Sequence, residues 1–348
     1  MTSVSSAGRT DAGLVAPNRH ATRRGDLPLA LLCGATATGL ALDRAPALTA
    51  ALLAVTALTV PGVFVSRAAQ PRGPIERAIV VMMVSVTTWM LVAHALLTVQ
   101  LWSPRAVGAV LAAAGFVGAC VRRRPAPAPH VRSSLRDRAR GFAAELGGPQ
   151  IVASLLALLL WVGSLPFVDT AGFDDWGLVA AVPVPFLLGY ALAIVVAVGS
   201  SLAPRTSPGR VAAGVAPLLI MIYGTLPLLF DTIRYPWAYK HVGVIRLLDE
   251  TGRLHPSVDI YNNFSGFFGL GAFVRGATGV DPTSYAAWTQ LAAQALILVA
   301  VWLLIRRATD SERVAHLAVV LYLLTDWVGQ NYFAAQTLAT FLSLGVLG

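Results

Sequence analysis

Ten long apolar runs, at about residues 27–42, 46–66, 78–101, 106–121, 150–168, 177–200, 211–230, 285–305, 314–328 and 332–348, constrain this chain more than any other feature. A hydrocarbon core about 30 Å thick needs ~20 apolar residues per helical crossing. Lipid offers backbone N–H and C=O groups no partner, so a crossing segment is a helix or part of a closed barrel. Barrel strands alternate apolar and polar residues, whereas these runs are continuous. Of the 348 residues 56% are hydrophobic and 12% charged, against about 25% charged in a soluble domain, and a disordered chain has too little apolar surface to match this. The predicted fold is therefore all-α, a polytopic transmembrane helix bundle of about ten spans.

The charges orient it. With the N-terminus in the cytoplasm, the inner segments carry Arg9, Arg19, Arg23 and Arg24; Arg67, Arg72 and Arg77; seven arginines between Arg122 and Arg140; Arg205 and Arg210; and Arg306, Arg307 and Arg313. That is nineteen of the 26 basic residues, while ten of the 17 carboxylates fall outside. The positive-inside rule selects this orientation at each loop and places the chain in the inner, cytoplasmic membrane as a multi-pass protein. A net charge of +9 in a soluble protein would suggest nucleic acid. Here it is the signature of loops facing the cytoplasm, and no nucleic-acid partner is expected.

Residues 1–26 read as a disordered cytoplasmic leader, since no small-residue cleavage site follows the first apolar run. Four leading spans occupy 27–121, a proline-bearing basic cytoplasmic linker 122–149, and six further spans 150–348. Cys33 and Cys120 both lie inside apolar runs, so neither a disulfide framework nor a thiolate metal site is available. His94, inside the third run, reads as a bundle histidine satisfied by a neighbour.

One long segment, 231–284, has both ends facing outward and holds Lys240, His241, His255 and five carboxylates. Loops on a rigid scaffold are where binding and catalytic groups concentrate. Ala238, Val242, Ile245 and Leu248 recur at helical spacing, with Lys240, Arg246, Asp249 and Glu250 on the other side and Gly252 as a stop. This predicts a short helix lying on the membrane surface. Phe264 to Val274 is too short to cross and glycine-rich, which predicts a second juxtamembrane or re-entrant helix. Asp281-Pro282 provides an N-cap and a first-turn proline for the eighth span.

The stretch PLLFDTIRYPWAYKHVGVIRLLDETGRLHPSVDIYNNFSGFFGLGAFVRGATGVDP, from Pro227 to Pro282, with the outer turn DWVGQNYFAAQ, from Asp326 to Gln336, resembles the start of the catalytic module of the GT-C superfamily of integral membrane glycosyltransferases, most nearly its actinobacterial members. The likeness covers Pro227 to Gly348, in a module beginning near residue 211. It implies transfer of a sugar from a polyprenyl-phosphate donor to a glycan or lipid acceptor at the outer face, in cell-envelope assembly. In that superfamily a carboxylate just after the first module helix serves as base, and Asp231 matches it. Many members follow it with a second acid, where this chain has Thr232. The superfamily carries more helices after the equivalent of Gly348, so a longer reading frame or a partner protein is expected to complete the site.

The residues are compatible with that chemistry. Sugar transfer needs a carboxylate to take the acceptor proton and cations beside the departing phosphate. Asp231 supplies the first; Arg234, Lys240, Arg246 or His241 the second; Tyr235, Trp237, Tyr239 and Tyr261 could stack on sugar faces, and Gln330 could line the same cavity. No His, Asp or Glu spacing identifies a metal, and whether a divalent metal assists stays open. A transporter or flippase would place ionisable groups at mid-membrane and pair broken helices; a non-catalytic membrane scaffold would need no loaded outer loop. Both alternatives stay open at this point.

Overall fold

A computed structural model describes residues 26–42, 45–69, 71, 73–121, 148–172, 177–203, 206–230, 232–233, 235–326 and 332–348. The expected leader and basic linker fall almost wholly outside them; of the linker, only Gly148 and Pro149 are described, and they already belong to a helix.

Among the described residues the elements are helical. They run α1 (Leu27–Leu42), α2 (Pro46–Ala69), α3 (Pro74–Thr98), α4 (Pro104–Val121), α5 (Gly148–Ser164), α6 (Leu178–Ala181), α7 (Val184–Leu202), α8 (Pro208–Leu229), α9 (Pro236–Thr251), α10 (Ile260–Asn263), α11 (Gly266–Thr278), α12 (Thr283–Thr309), α13 (Glu312–Thr325) and α14 (Ala335–Leu347). Seven helices, α2, α3, α4, α5, α7, α8 and α12, are long and apolar enough to cross a membrane, as in a multi-pass membrane protein. The expected runs at either end of the chain and the run at 314–328 form the shorter α1, α14 and α13. The run at 177–200 is interrupted, because Pro183 (φ −73°, ψ 157°) separates α6 from α7, as proline's missing N–H and fixed φ require.

Apolar side chains cover the outside of the bundle as well as its interior. Leu91, Val110, Leu159 and Val195 are 62%, 67%, 69% and 66% exposed. Soluble monomers rarely present contiguous apolar surface of this kind. Inside, one core joins α5, α7, α8, α12 and α13 through Trp161, Leu218, Met221, Ile297 and Val320. Several of its polar groups are paired: the Trp161 indole on α5 donates to Thr225 Oγ1 on α8 at 2.9 Å, and the Ser200 and Ser201 hydroxyls donate to carbonyls one turn back.

The leading helices form a second unit. Thr36 and Thr56 join α1 to α2 by a 2.8 Å hydroxyl pair. Pro61 interrupts the α2 ladder, and the neighbouring Gly62 N–H donates instead to Ser85 Oγ on α3 at 2.8 Å. There the two backbones touch, for a Cβ at Gly62 would collide with the Val81 carbonyl. The second loop helix, α11, does not rest on the membrane surface alone: it packs against α2, α3 and α4. Phe273 at its centre is buried with Leu40, Leu53 and Trp89, its ring edge-on to Trp89 at 5.2 Å. His94 is satisfied as expected, its Nδ1 lying 2.7 Å from Ser265 Oγ at the start of α11.

Gly62→Ala should therefore lower the stability of the detergent-solubilised protein by about 1–3 kcal/mol, the usual cost of overpacking. A melt followed by circular dichroism measures it. Gly163→Ala, where an added Cβ meets nothing within 4 Å, is the matched control.

Candidate functional site

The first loop helix, α9, follows the amphipathic pattern that its sequence predicts. Ala238, Val242, Ile245 and Leu248 are buried, Trp237 and Lys240 are exposed, and Gly252 closes the helix in the left-handed region at φ 63°. The helix is held down by a hydrophobic layer with Leu97, Phe268 and Phe333. The segment entering it is fixed by the Ile233 N–H, which donates to Tyr239 Oη at 3.1 Å.

Below α9, where the C-terminal end of α8 meets the N-terminal end of α12, is a small cleft of about 30 Å³ lined by Leu226, Thr232, Ile233, Tyr235, Gln290 and Tyr332. Tyr235 and Tyr332 stack across its rim with centroids 5.2 Å apart. The volume is that of about one water, so the cleft as it stands receives the edge of a ligand rather than a whole one.

Beside it lies an aromatic cluster centred on His241. That residue is 1% exposed, stacked on Tyr332 at 5.8 Å and met edge-on by Tyr261 and Phe268. Its Nδ1 donates to the Phe333 carbonyl at 2.7 Å. Burial pushes its pKa below the ordinary histidine value, against a smaller upward pull from that hydrogen bond. The imidazole is therefore neutral at pH 7, a structural link between α9 and the turn before α14. Lys240, one residue earlier, is exposed: its Nζ lies 2.7 Å from Asp259 and 4.8 Å above the same Tyr261 ring. The hydrogen bond it donates to Asp259 raises the lysine pKa and lowers that of Asp259. Trp237 adds a second ring 5.5 Å from the ammonium.

Of the residues chosen from sequence, Tyr235, Trp237, Lys240, His241 and Tyr261 thus come together on the α9 side of the loop. Asp231, Arg234 and Gln330 lie outside the described residues. The cleft-lining Thr232, Ile233 and Tyr235 are their neighbours in sequence.

A charged network was not foreseen. Asp249, expected on a solvated face, accepts from Trp102 Nε1 at 3.0 Å and from Arg275 at 2.6 Å, with its side chain 14% exposed. The correction has a simple cause: α11 packs over that flank of α9 and brings Arg275 with it. Arg246 is likewise committed, forming a two-pronged pair with Asp281 at 2.9 and 2.8 Å. Asp281 also accepts from the Thr283 N–H at 3.0 Å, so it caps α12 although the helix begins one residue later than its sequence suggests. The Arg246 hydrogen bond holds the Asp281 carboxyl well below the usual carboxylate range. The Asp281-Pro282 signal pointed to the cap; nothing in a linear sequence paired it with Arg246.

No protein-family profile, no curated protein and no solved structure matches the chain. Among the described residues no group of three His, Cys, Asp or Glu side chains could hold a metal ion.

Asparagine caps a helix about as well as aspartate, so Asp281→Asn isolates the ion pair, while Asp281→Ala also removes the cap and should cost a further ~0.5–2 kcal/mol. Because the folded-state pKa is depressed, the carboxylate's contribution is complete above its unfolded value near pH 4 and fades as pH falls below it. Melts of the wild type and Asp281→Asn should converge on acidification below about pH 4; a constant gap would contradict the pairing.

Proposed function

We propose that the chain is an integral membrane glycosyltransferase that moves a sugar from a polyprenyl-phosphate donor to a glycan or lipid acceptor at the outer face of the cytoplasmic membrane. The observation that carries this reading is the meeting, at one end of an apolar bundle, of a cleft rimmed by the stacked Tyr235 and Tyr332 with the Lys240–Asp259 pair set among Trp237 and Tyr261. Aromatic faces suit sugar rings, and a lysine at the lipid boundary suits a phosphate leaving group. Asp231, between Phe230, which follows the last residue of α8, and the cleft-lining Thr232, is the base in this reading. Arg246, held by Asp281, and the buried His241 are engaged in structural contacts; Lys240, which is paired with Asp259 but stands among the aromatic rings, and Arg234 face the phosphate in this reading.

The reading includes ten spans, with α1, α13 and α14 crossing despite their length, and both termini in the cytoplasm. A cysteine at position 255 should then react with an impermeant thiol reagent in intact cells, and a cysteine at 130 should not. The reverse pattern would overturn the topology.

For the chemistry, Asp231→Asn retains size and a hydrogen-bonding group but removes the basic oxygen. It should leave expression unchanged and lower sugar transfer by at least about a hundredfold, whereas Asp310→Asn, at the far end of the bundle, should leave transfer unchanged. The readout is the lipid-linked-sugar and glycan profile of cells carrying each variant in place of the wild type. Unchanged profiles on deletion of the protein would refute the class.

A further inference from the structure

At the end of the bundle opposite the long loop, two cavities meet. One, of about 300 Å³, is apolar and lined by side chains of α8, α12 and α13, among them Val215, Leu219, Leu298 and Val319. The other, of about 780 Å³, is polar and lined by Glu76, Arg306, Arg307, Asp310 and Glu312. Trp302 and Ile75 line both, and both volumes lie in the range of ligand pockets.

Their junction carries an unusual set of polar atoms. His316 is 1% exposed and lines the apolar cavity, stacked on Trp302 at 6.3 Å. Neither ring nitrogen has a hydrogen-bond partner among the described residues; Nε2 is 3.6 Å from Glu312 Oε2, too far for one. Trp302 Nε1 and Glu312 Oε2 are buried and unpartnered as well. Each such atom costs about 1–3 kcal/mol when left unsatisfied. Here one is an obligate donor, one an acceptor and one ring either.

The surrounding charges narrow the choice. Arg307 pairs with Glu76 at 2.7 Å, and Arg306 pairs with Asp310 and Glu312 at 2.8 Å each. Among the described residues two cations face three carboxylates, so these groups offer no surplus of positive charge to an anionic headgroup. The orphan acceptor asks instead for an N–H donor, and the orphan indole asks for an acceptor oxygen.

From this we infer that the junction is a binding site for a zwitterionic phospholipid with a primary ammonium head, of the phosphatidylethanolamine class. Its ammonium donates to Glu312 Oε2, a phosphate or ester oxygen accepts from Trp302 Nε1, and an acyl chain fills the apolar cavity between α8, α12 and α13. A quaternary choline head carries no N–H and cannot make the first contact. The site is independent of the outer-face chemistry.

The test is a thermal melt of the purified 348-residue chain in detergent, titrated with dioleoyl phosphatidylethanolamine, phosphatidylcholine or phosphatidylglycerol. Phosphatidylethanolamine should stabilise the protein with an apparent affinity at least roughly tenfold above the other two, the worth of one charge-assisted hydrogen bond. Glu312→Gln, which leaves the ammonium only a neutral amide oxygen, should reduce that preference, whereas Trp302→Phe, which removes the indole donor to an oxygen that all three lipids carry, should weaken the response to all three alike. Should Glu312→Gln fail to fold, Trp302→Phe still tests the site through its loss of lipid affinity. Equal stabilisation by ethanolamine and choline lipids, a preference for the anionic lipid, no response to any lipid because water fills the junction, full selectivity in folded Glu312→Gln, or undiminished lipid affinity in folded Trp302→Phe would each overturn the proposal.

Discussion

Lipid cannot hydrogen-bond, and the rest of this structure follows from that. Each apolar run must close its own backbone ladder, which makes it a helix. Side-chain hydroxyls within the helices are subject to the same constraint: those of Thr36, Thr88, Ser200 and Ser201 donate to carbonyls one turn back. Where the ladder is broken, at Pro61, a hydroxyl from the neighbouring helix receives the N–H beside the gap. The driving force between helices is then packing, and small residues such as Gly62 and Gly189 sit where backbones approach most closely.

Outside the apolar zone the balance changes. The loop between α8 and α12 is held by charge and aromatic contacts. Arg275 reaches Asp249 and Glu250, Arg246 reaches Asp281, and the buried His241 ring binds α9 to the turn at Phe333. Isolated ion pairs at a surface contribute little. These share a side-chain network with the Trp102 indole on the segment before α4, so the loop helices are positioned as a group against both halves of the bundle.

How much of this the sequence disclosed depends on the range of the interaction. Features set by neighbours along the chain were legible: the helical runs, the buried face of α9, its stop at Gly252, and the cap at Asp281. Features set by residues remote in sequence were not. Asp249 looked solvated because periodicity describes one helix, and only the arrival of α11 encloses it. His241 was offered as a cation for the phosphate, yet the residues that enclose it include Phe268, Tyr332 and Phe333. The cleft was anticipated as a region, through Tyr235 and the turn at 326–336, but in that turn the sequence reading chose Gln330 and not the rim residue Tyr332.

The seat of Phe273 among Leu40, Leu53 and Trp89 bears on how the molecule is assembled. Those three residues lie in α1, α2 and α3, which leave the ribosome long before α11. In a chain made from its N-terminus, α1, α2 and α3 are therefore present before the ring that packs between them. Their packing is completed only when α11 folds back onto them, so the leading unit and the loop form one cooperative piece rather than two.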